Sequence, residues 1–563
     1  MLFSKFHEFI PKSYLYLRKG YKFSIFKKDL LAGLTVGTVA LPLAMAFAIA
    51  SGVGPERGLY TAIIAGFLIS ALGGSRIQVG GPTASFVIIS YEIIQKMGYN
   101  GLCASMVVAS VILIFLGILR VGSWIKYIPH PLVIGFTTGM SVVIFSMQIK
   151  DFFGLKIDHL PVNFTGKWLA YFDAFSSFNP IALYTGIGAL SVILLIRRFV
   201  PWFPWGVTVI VVTTIVCSLF NIRLETIRSH FGELSRSLPL PSVKHLLIQI
   251  GNFKEILTNG IIIAFLASVE SLLSAVVGDG MIGGKHRSNC ELVALGIANF
   301  GSFVFGGIPA SGAIARTVVN IKTGAQTPMA GMVHALFLAF ILYCLAPVVS
   351  KIPLVAFSAV MIMTSWNMSK ISHFIRLLRA PCGDRIVLLI TFILTVFVDL
   401  TVAISVGMIL ASFIFMKQMS QMSSVVPLSK IFHENIVDFP ERCDYDDISK
   451  KVIPCGVEVY EVQGPFFFGA ANMLRDILNH LIATPQIFIL RMRSIPMIDA
   501  SGMHGIEEFY DQCKKKNIIL FLSGIHGQTL IDLKKFGLVD IIGEEYIFQN
   551  INDALAKARV IIK

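Results

Sequence analysis

Long apolar runs, each closed by a short polar, glycine or proline break, follow one another along most of the chain. They lie near residues 30–51, 59–73, 79–96, 101–119, 131–154, 180–196, 206–222, 258–280, 289–306, 309–324, 328–347, 352–368, 385–399 and 401–419. A helix needs about 20 apolar residues to cross a bilayer core, so about fourteen spans are predicted. After Met419 the pattern changes. "GVEVYEVQG", "QIFILRMRS" and "NIILFLSG" have the length and composition of strands, and they alternate with the helical patterns "AANMLRDILNHLI", "SGMHGIEEFYDQCKKK" and "HGQTLIDLKKFG". Strands alternating with helices predict a small α/β domain. The expected organisation is an N-terminal segment 1–28, a transmembrane domain 29–425 and an α/β domain 430–563.

Two spans are interrupted in a similar way. "GGPTAS" (80–85) and "GGIPAS" (306–311) fall in the third and tenth apolar segments. An offset of seven spans reverses their orientation in the membrane, which predicts an inverted repeat with halves at about 29–222 and 258–420. Gly-Gly followed by Pro predicts an extended stretch leading into a half-helix, beginning near Pro82 in one copy and Pro309 in the other. Irregular backbone at membrane depth is tolerated where it is buried in protein or lines a cavity. Two half-helix N-termini converging from opposite sides direct free N–H groups and positive dipole ends at one point, which makes an anion site. The candidate contacts are Thr83, Ala84, Ser85 and Phe86 on one side and Ala310, Ser311, Gly312 and Ala313 on the other, with Arg316 adding positive charge.

The eighth segment, "AFLASVESLLSAVVGDG", carries Glu270 between apolar turns. Helical spacing puts Ala267, Glu270, Ser271, Ser274 and Gly278 on one small, polar face. An intramembrane carboxylate marks an ion or proton path; the structural alternative is a partner for Arg316.

The chain of 563 residues is 55% hydrophobic and 14% charged, against about 25% charged in a globular chain. The net charge of +14 is unevenly spread: residues 1–429 hold 32 Lys/Arg against 15 Asp/Glu, and residues 430–563 hold 15 against 18. The surplus follows the membrane part, as the positive-inside rule requires, and argues against nucleic-acid binding. An even number of spans and a basic N-terminal segment put both termini in the cytoplasm, with the chain in the inner or plasma membrane. The first 28 residues contain no cleavable apolar run and are expected to lie along the membrane surface. The eight cysteines show no CxxC spacing, so neither a metal site nor a disulfide framework is expected. "GDGMIG" (278–283) follows a membrane helix rather than a strand and fails the context a dinucleotide site needs; it is expected to be a helix C-cap and loop.

"DLLAGLTVGTVALPLAMAFAIASGVGPERGLYTA", "GGPTASF", "HPLVIGFTTGMSVV", "VESLLSAVVGDG", "GIPASGAIARTVVN" and "IPMIDASGMHGIEEF" together resemble the sulfate permease (SulP) family of anion transporters over essentially the whole chain. The resemblance implies a seven-plus-seven transmembrane unit whose core (spans 1–4 and 8–11) moves against a gate like an elevator. It also implies a C-terminal STAS domain and a homodimer. Carried over by position, the substrate site falls on Ala44, Phe47, Thr83 to Phe86, Ser311 to Ala313 and Arg316, with Glu270 as the coupling residue. Where sodium-coupled bicarbonate members carry Asp and Thr, this chain has Glu270 and Ile314, and an aliphatic side chain offers a hard cation no ligand. Leu43 stands where many members have Gln. In the STAS-like part, Ser501 matches the phosphorylated serine of anti-sigma-factor antagonists and is a candidate for regulatory phosphorylation; its plainer role is to cap a helix.

These readings predict proton-coupled uptake of sulfate, bicarbonate or a dicarboxylate, without cofactor, metal or bond-breaking chemistry. A sodium-dependent bicarbonate symporter, an uncoupled exchanger, and a membrane scaffold or sensor with a cytoplasmic partner for the STAS domain are the alternatives.

Overall fold

The computed structural model of the chain describes residues 7–18, 20–123, 129–157, 160–161, 163–200, 205–232, 241–242, 253–398, 400–422, 424–427, 453–467, 473–474, 477–478 and 484–562. It forms two compact units, Met1–Ala411 and Ser412–Lys563.

Every predicted apolar segment has a helical counterpart. The first half of the membrane unit runs α1 (Phe23–Ala50), α2 (Pro55–Leu72), a two-residue strand β1 (Gly80–Gly81), α3 (Ser85–Ile118), α4 (His130–Met147), α5 (Phe164–Asp173), α6 (Pro180–Phe199) and α7 (Trp205–Leu219). The second half runs α8 (Phe253–Ile282), α9 (Ser288–Val304), β2 (Ser311–Gly312), α10 (Ile314–Lys322), α11 (Met329–Val349), α12 (Leu354–Met368), α13 (Cys382–Phe397) and α14 (Leu400–Gln421). Among the described residues, seven helical runs are long and apolar enough to cross a membrane by length and composition alone. The third and fourth predicted spans are two helical stretches, labelled together as α3, that meet at Gly98, whose φ of 69° and ψ of −179° interrupt the helix between them. Proline opens α2 and α6, where its missing N–H would be unpaired in any case.

The helices pack in two groups. In one, α3 lies along α8 and α9, α9 packs on α2, α11 on α1 and α2, and α10 on α1 and α8. In the other, α4 packs on α12 and α13, α12 on α6, and α6 on α7. These groups are the expected core and gate. The short helix α5 was not foreseen as an element. Its aromatic residues Phe164, Trp168 and Tyr171 follow the i, i+4, i+7 spacing of one helical face.

The two halves cross at β1 and β2, which pair antiparallel, Gly80 opposite Gly312 and Gly81 opposite Ser311. This corrects the sequence reading in two ways. The half-helices begin at Ser85 and Ile314, not near Pro82 and Pro309. The pairing also makes Ser311–Gly312, rather than Gly306–Gly307, the counterpart of Gly80–Gly81. Pro309 belongs to the extended lead-in, which its fixed φ favours. The "GDGMIG" loop is shorter than expected: α8 continues to Ile282 and Gly283 ends it in the left-handed region, φ 65°.

The C-terminal unit holds a five-stranded sheet in the order β3 (Ser424–Pro427), β4 (Val457–Gln463), β5 (Ile487–Ser494), β6 (Ile519–Ser523), β7 (Ile547–Phe548). β3 is antiparallel to β4 and the other pairs are parallel. One face packs on α15 (Ala500–Lys515), α16 (Gly527–Phe536) and α17 (Leu538–Ile542) through Phe488, Leu490, Leu520 and Phe509. The other packs on α18 (Ile551–Ile562) through Val459, Ile489, Phe521 and Leu555. The predicted helix "AANMLRDILNHLI" lies largely outside the described residues.

Candidate functional site

The polar face of α8 meets the crossover. Glu270 accepts hydrogen bonds from both halves of the repeat: from the Thr83 hydroxyl at 2.7 Å and the Ser311 hydroxyl at 2.7 Å on one oxygen, and from the Ser85 hydroxyl at 3.1 Å on the other. The Thr83 and Ser311 oxygens are themselves 3.2 Å apart. One carboxylate thus joins the lead-in of α3, its first residue and strand β2.

Extended backbone inside a membrane needs partners for its N–H and C=O groups, and neighbouring side chains supply them. On the first lead-in, Asn320 donates to the Ile77 carbonyl at 2.8 Å, Val79 N–H donates to the Thr317 hydroxyl at 3.2 Å, and Ala313 N–H donates to the Val79 carbonyl at 2.9 Å. The Gln78 amide donates to Ser271 of α8 at 2.6 Å. On the second, Ile308 N–H donates to Thr61 at 2.7 Å, Ser302 donates to the Ile308 carbonyl at 2.8 Å, and the Asn299 amide exchanges two bonds of 2.9 Å with the Ala310 backbone. These supports were missed in the sequence. Their signal was the pairs Asn299/Ser302 and Thr317/Asn320, polar residues at i, i+3 within helices of the membrane unit.

Arg316 is 2% exposed and reaches across the crossover, donating to the Pro82 carbonyl at 3.0 Å and to the Gly80 carbonyl at 3.5 Å. No ion pair joins it to Glu270 among the described residues, so the structural alternative for Glu270, a direct pair with Arg316, is not what the geometry contains. Gly81 has φ 145°, and a Cβ there would run into the Arg316 guanidinium.

The first turns of α3 and α10 leave the backbone N–H groups of Ala84 and Ser85, and of Ile314 and Ala315, without acceptors among the described residues, as helix geometry dictates. Ala313, in contrast, uses its N–H on Val79. Ala84, Phe86 and Ala313 are buried beside these turns, and Gly312 is in the strand pair. Ala44 and Phe47 are buried within α1 and are not part of the hydrogen-bonded cluster. Ala267, Ser271, Ser274 and Gly278 share the Glu270 face and are buried; Ser274 and Thr317 hydroxyls lie 3.1 Å apart.

In the C-terminal unit, Ser501 is exposed in the first turn of α15. The cap expected of it is made by Asp499, whose carboxylate accepts the Gly502 N–H at 2.7 Å.

Residues 26–391 match the sulfate permease family and residues 450–554 match the STAS domain. The chain is 37% identical to a Bacillus subtilis protein named a putative sulfate transporter, YvdB, over 94% of this chain and 98% of that one. It is 26% identical to the bicarbonate transporter BicA of a Picosynechococcus strain, over 94% of each. Among solved structures, it resembles murine solute carrier 26 member A9, an anion transporter in its inward-facing state, with a TM-score of 0.85 and 18% identity over 98% of this chain and 94% of that one. The transmembrane domain of cyanobacterial BicA matches with a TM-score of 0.60 and 24% identity, over 70% of this chain and 98% of that domain.

Proposed function

Since the chain belongs to the sulfate permease family and is an anion transporter of that family, we propose that it takes up sulfate, bicarbonate or a small dicarboxylate together with a proton, by elevator-type alternating access. The observation that carries this reading is Glu270 held between hydroxyls of both half-repeats. An anion at the N–H groups of Ala84, Ser85, Ile314 and Ala315 gains the hydrogen bonds and positive dipole ends of two helices. It also stands beside the Glu270 carboxylate. Two unit charges 4 Å apart repel by about 4 kcal/mol at an effective dielectric of 20, so the anion enters readily only when Glu270 carries a proton. A protonated Glu270 frees hydroxyls of Thr83 and Ser311 to donate to the anion instead. Arg316 keeps the lead-in of α3 in place and adds a fixed positive field. Ala44 and Phe47 would shape the apolar wall of the site.

The whole cluster belongs to the α1–α3 and α8–α11 group, which supports movement of anion and proton as one load past the other group. Ile314 argues against sodium as the coupling ion. Names of relatives, a putative sulfate transporter and a bicarbonate transporter, support an inorganic anion. We assign the protein to a homodimer with both termini cytoplasmic, and Ser501 to regulation from the cytoplasm.

The test is uptake of labelled sulfate, bicarbonate and fumarate into liposomes holding the purified protein, under an inward proton gradient or an inward sodium gradient. Wild type is expected to accumulate anion with the proton gradient alone, and Glu270→Gln to lose that accumulation. Accumulation driven by sodium, or unaffected by Glu270→Gln, refutes the proposed coupling.

A further inference from the structure

The stretch from Ile10 to Lys28 carries six cations, Lys12, Arg18, Lys19, Lys22, Lys27 and Lys28, and no acidic residue. Arg18, Lys22, Lys27 and Lys28 are exposed in the structure, and so are Tyr14, Leu17, Phe23 and Phe26. Phe23 and Phe26 stack with ring centres 6.0 Å apart, and the Lys27 ammonium stands 5.1 Å from the centre of the Phe23 ring. The depth of this group follows from the length of α1. Its 28 residues make a helix of about 42 Å, against a hydrocarbon core of about 30 Å. The apolar run begins only at Leu30, so the first two turns of α1 stand at headgroup level. Aromatic rings and long cationic side chains favour that depth, and cations there attract anionic lipid.

The other side of the same stretch is tied to both broken spans. A short helix, Lys12–Arg18, lies against α2. There the Lys12 N–H donates to the Gly73 carbonyl at 3.1 Å, the Ser13 hydroxyl donates to the Ala71 carbonyl, and the Arg287 guanidinium donates to the Ile10 carbonyl at 2.6 Å. Gly73 ends α2 just ahead of the first lead-in. On that lead-in, the Arg76 guanidinium stands 5.3 Å from the centre of the Tyr16 ring and donates to the Gln326 carbonyl at 2.6 Å. Gln326 and Thr327 connect α10 to α11, and their N–H groups donate to the buried Asp29 carboxylate at 2.7 and 3.1 Å. The Tyr21 hydroxyl donates to the same carboxylate at 2.8 Å. One stretch of chain therefore holds the entry to the first lead-in and the exit from the second half-helix.

We propose that residues 12–28 form a binding surface for anionic phospholipid headgroups, and that lipid bound there sets the rate of transport through the Tyr21–Asp29 contact. Like charges along this stretch repel one another, and lipid phosphates between them remove that repulsion. Phosphates held by Lys22, Lys27 and Lys28 fix the turn that carries Tyr21, and with it the Asp29 carboxylate and the Gln326–Thr327 connection. The link to transport rests on the reading of the chain as an anion carrier; the lipid surface does not.

Lipid retention and lipid-dependent uptake by the full-length protein test it. Purified from detergent containing equal amounts of phosphatidylglycerol and phosphatidylcholine, wild type is expected to retain phosphatidylglycerol in several-fold excess. Replacing Lys22, Lys27 and Lys28 together by Gln should abolish the excess, and replacing them by Arg should keep it. In liposomes of phosphatidylcholine alone, wild type and the Gln variant should take up the transported anion (sulfate, bicarbonate or fumarate) equally. Adding phosphatidylglycerol should speed wild type several-fold and leave the Gln variant unchanged. Tyr21→Phe should retain the lipid and lose the acceleration. Equal phosphatidylglycerol excess in wild type and the Gln variant overturns the lipid surface, as does the same acceleration by soluble glycerol phosphate. Retention without acceleration in wild type, or full acceleration in Tyr21→Phe, overturns the link to transport. No uptake in any liposome counts against the anion-carrier reading and that link, while retention still decides the lipid surface.

Discussion

A methyl group added at Gly81 would have to share space with the Arg316 guanidinium, at a backbone φ of 145° that only glycine takes without strain. Gly81→Ala is therefore expected to cost about 1–3 kcal/mol, the range for overpacking a filled interior, read as a lower melting temperature of the purified protein. An unchanged melting temperature would mean that Arg316 is free to move aside, contrary to its bonds to the Gly80 and Pro82 carbonyls. At this scale the sequence was informative where a residue type is expensive in a membrane. Glu270, Thr83, Ser85 and Ser311 stood out because each is polar among apolar neighbours, and the structure brings all four together. The direction in which Arg316 points was not legible, because a guanidinium can serve a carboxylate or a carbonyl equally well and the choice depends on the register of two distant segments. Asp499 taking the cap expected of Ser501 is the same problem in miniature: both residue types suit the position, and a shift of the helix start by two residues decides between them.

Among elements, spans were easy to locate and broken helices were not. Each span declares itself through a long apolar run, but the half-helix starts depend on where backbone groups find partners. The lead-in through Pro309 remains extended because Thr61, Asn299 and Ser302 occupy its N–H and carbonyl groups; Asn299 and Ser302 come from the helix just before it, but Thr61 comes from α2, far away in sequence. The likeness of "GGPTAS" and "GGIPAS" correctly flagged two interrupted spans while misaligning them, since the pairing matches Gly81 with Ser311, the last residue of the second motif, and Gly80 with Gly312 just beyond it. In the C-terminal unit, neighbouring strands β4 and β5 set Glu461 opposite Arg491, a nearly buried pair 3.2 Å apart, with Ser494 donating to the same carboxylate at 2.8 Å. Removing one member of such a pair costs about 3–5 kcal/mol, whereas replacing both by apolar residues is often neutral. Glu461→Leu should therefore speed amide hydrogen exchange across β4 and β5 strongly, and Glu461→Leu with Arg491→Met should restore most of the protection. Equal exchange in the single and double variants would show that the two charges do not depend on one another.

For the molecule as a whole, the excess of basic residues belongs to the membrane-spanning part and not to the α/β domain, so charge and hydropathy alone mark the chain as a membrane protein with an appended acidic domain. Coupling is another matter. It depends on how strongly Glu270 holds a proton when three hydroxyls from two distant segments surround it, and no local pattern encodes that affinity. The most direct measurement is of the proton itself: proteoliposomes loaded with a pH-sensitive dye, given external sulfate or fumarate with no gradient imposed. With a proton carried by Glu270, the lumen acidifies in step with uptake of whichever anion enters, and Glu270→Gln gives no acidification. Anion entry without acidification in the wild type would contradict the central claim that this carboxylate carries a proton alongside the anion.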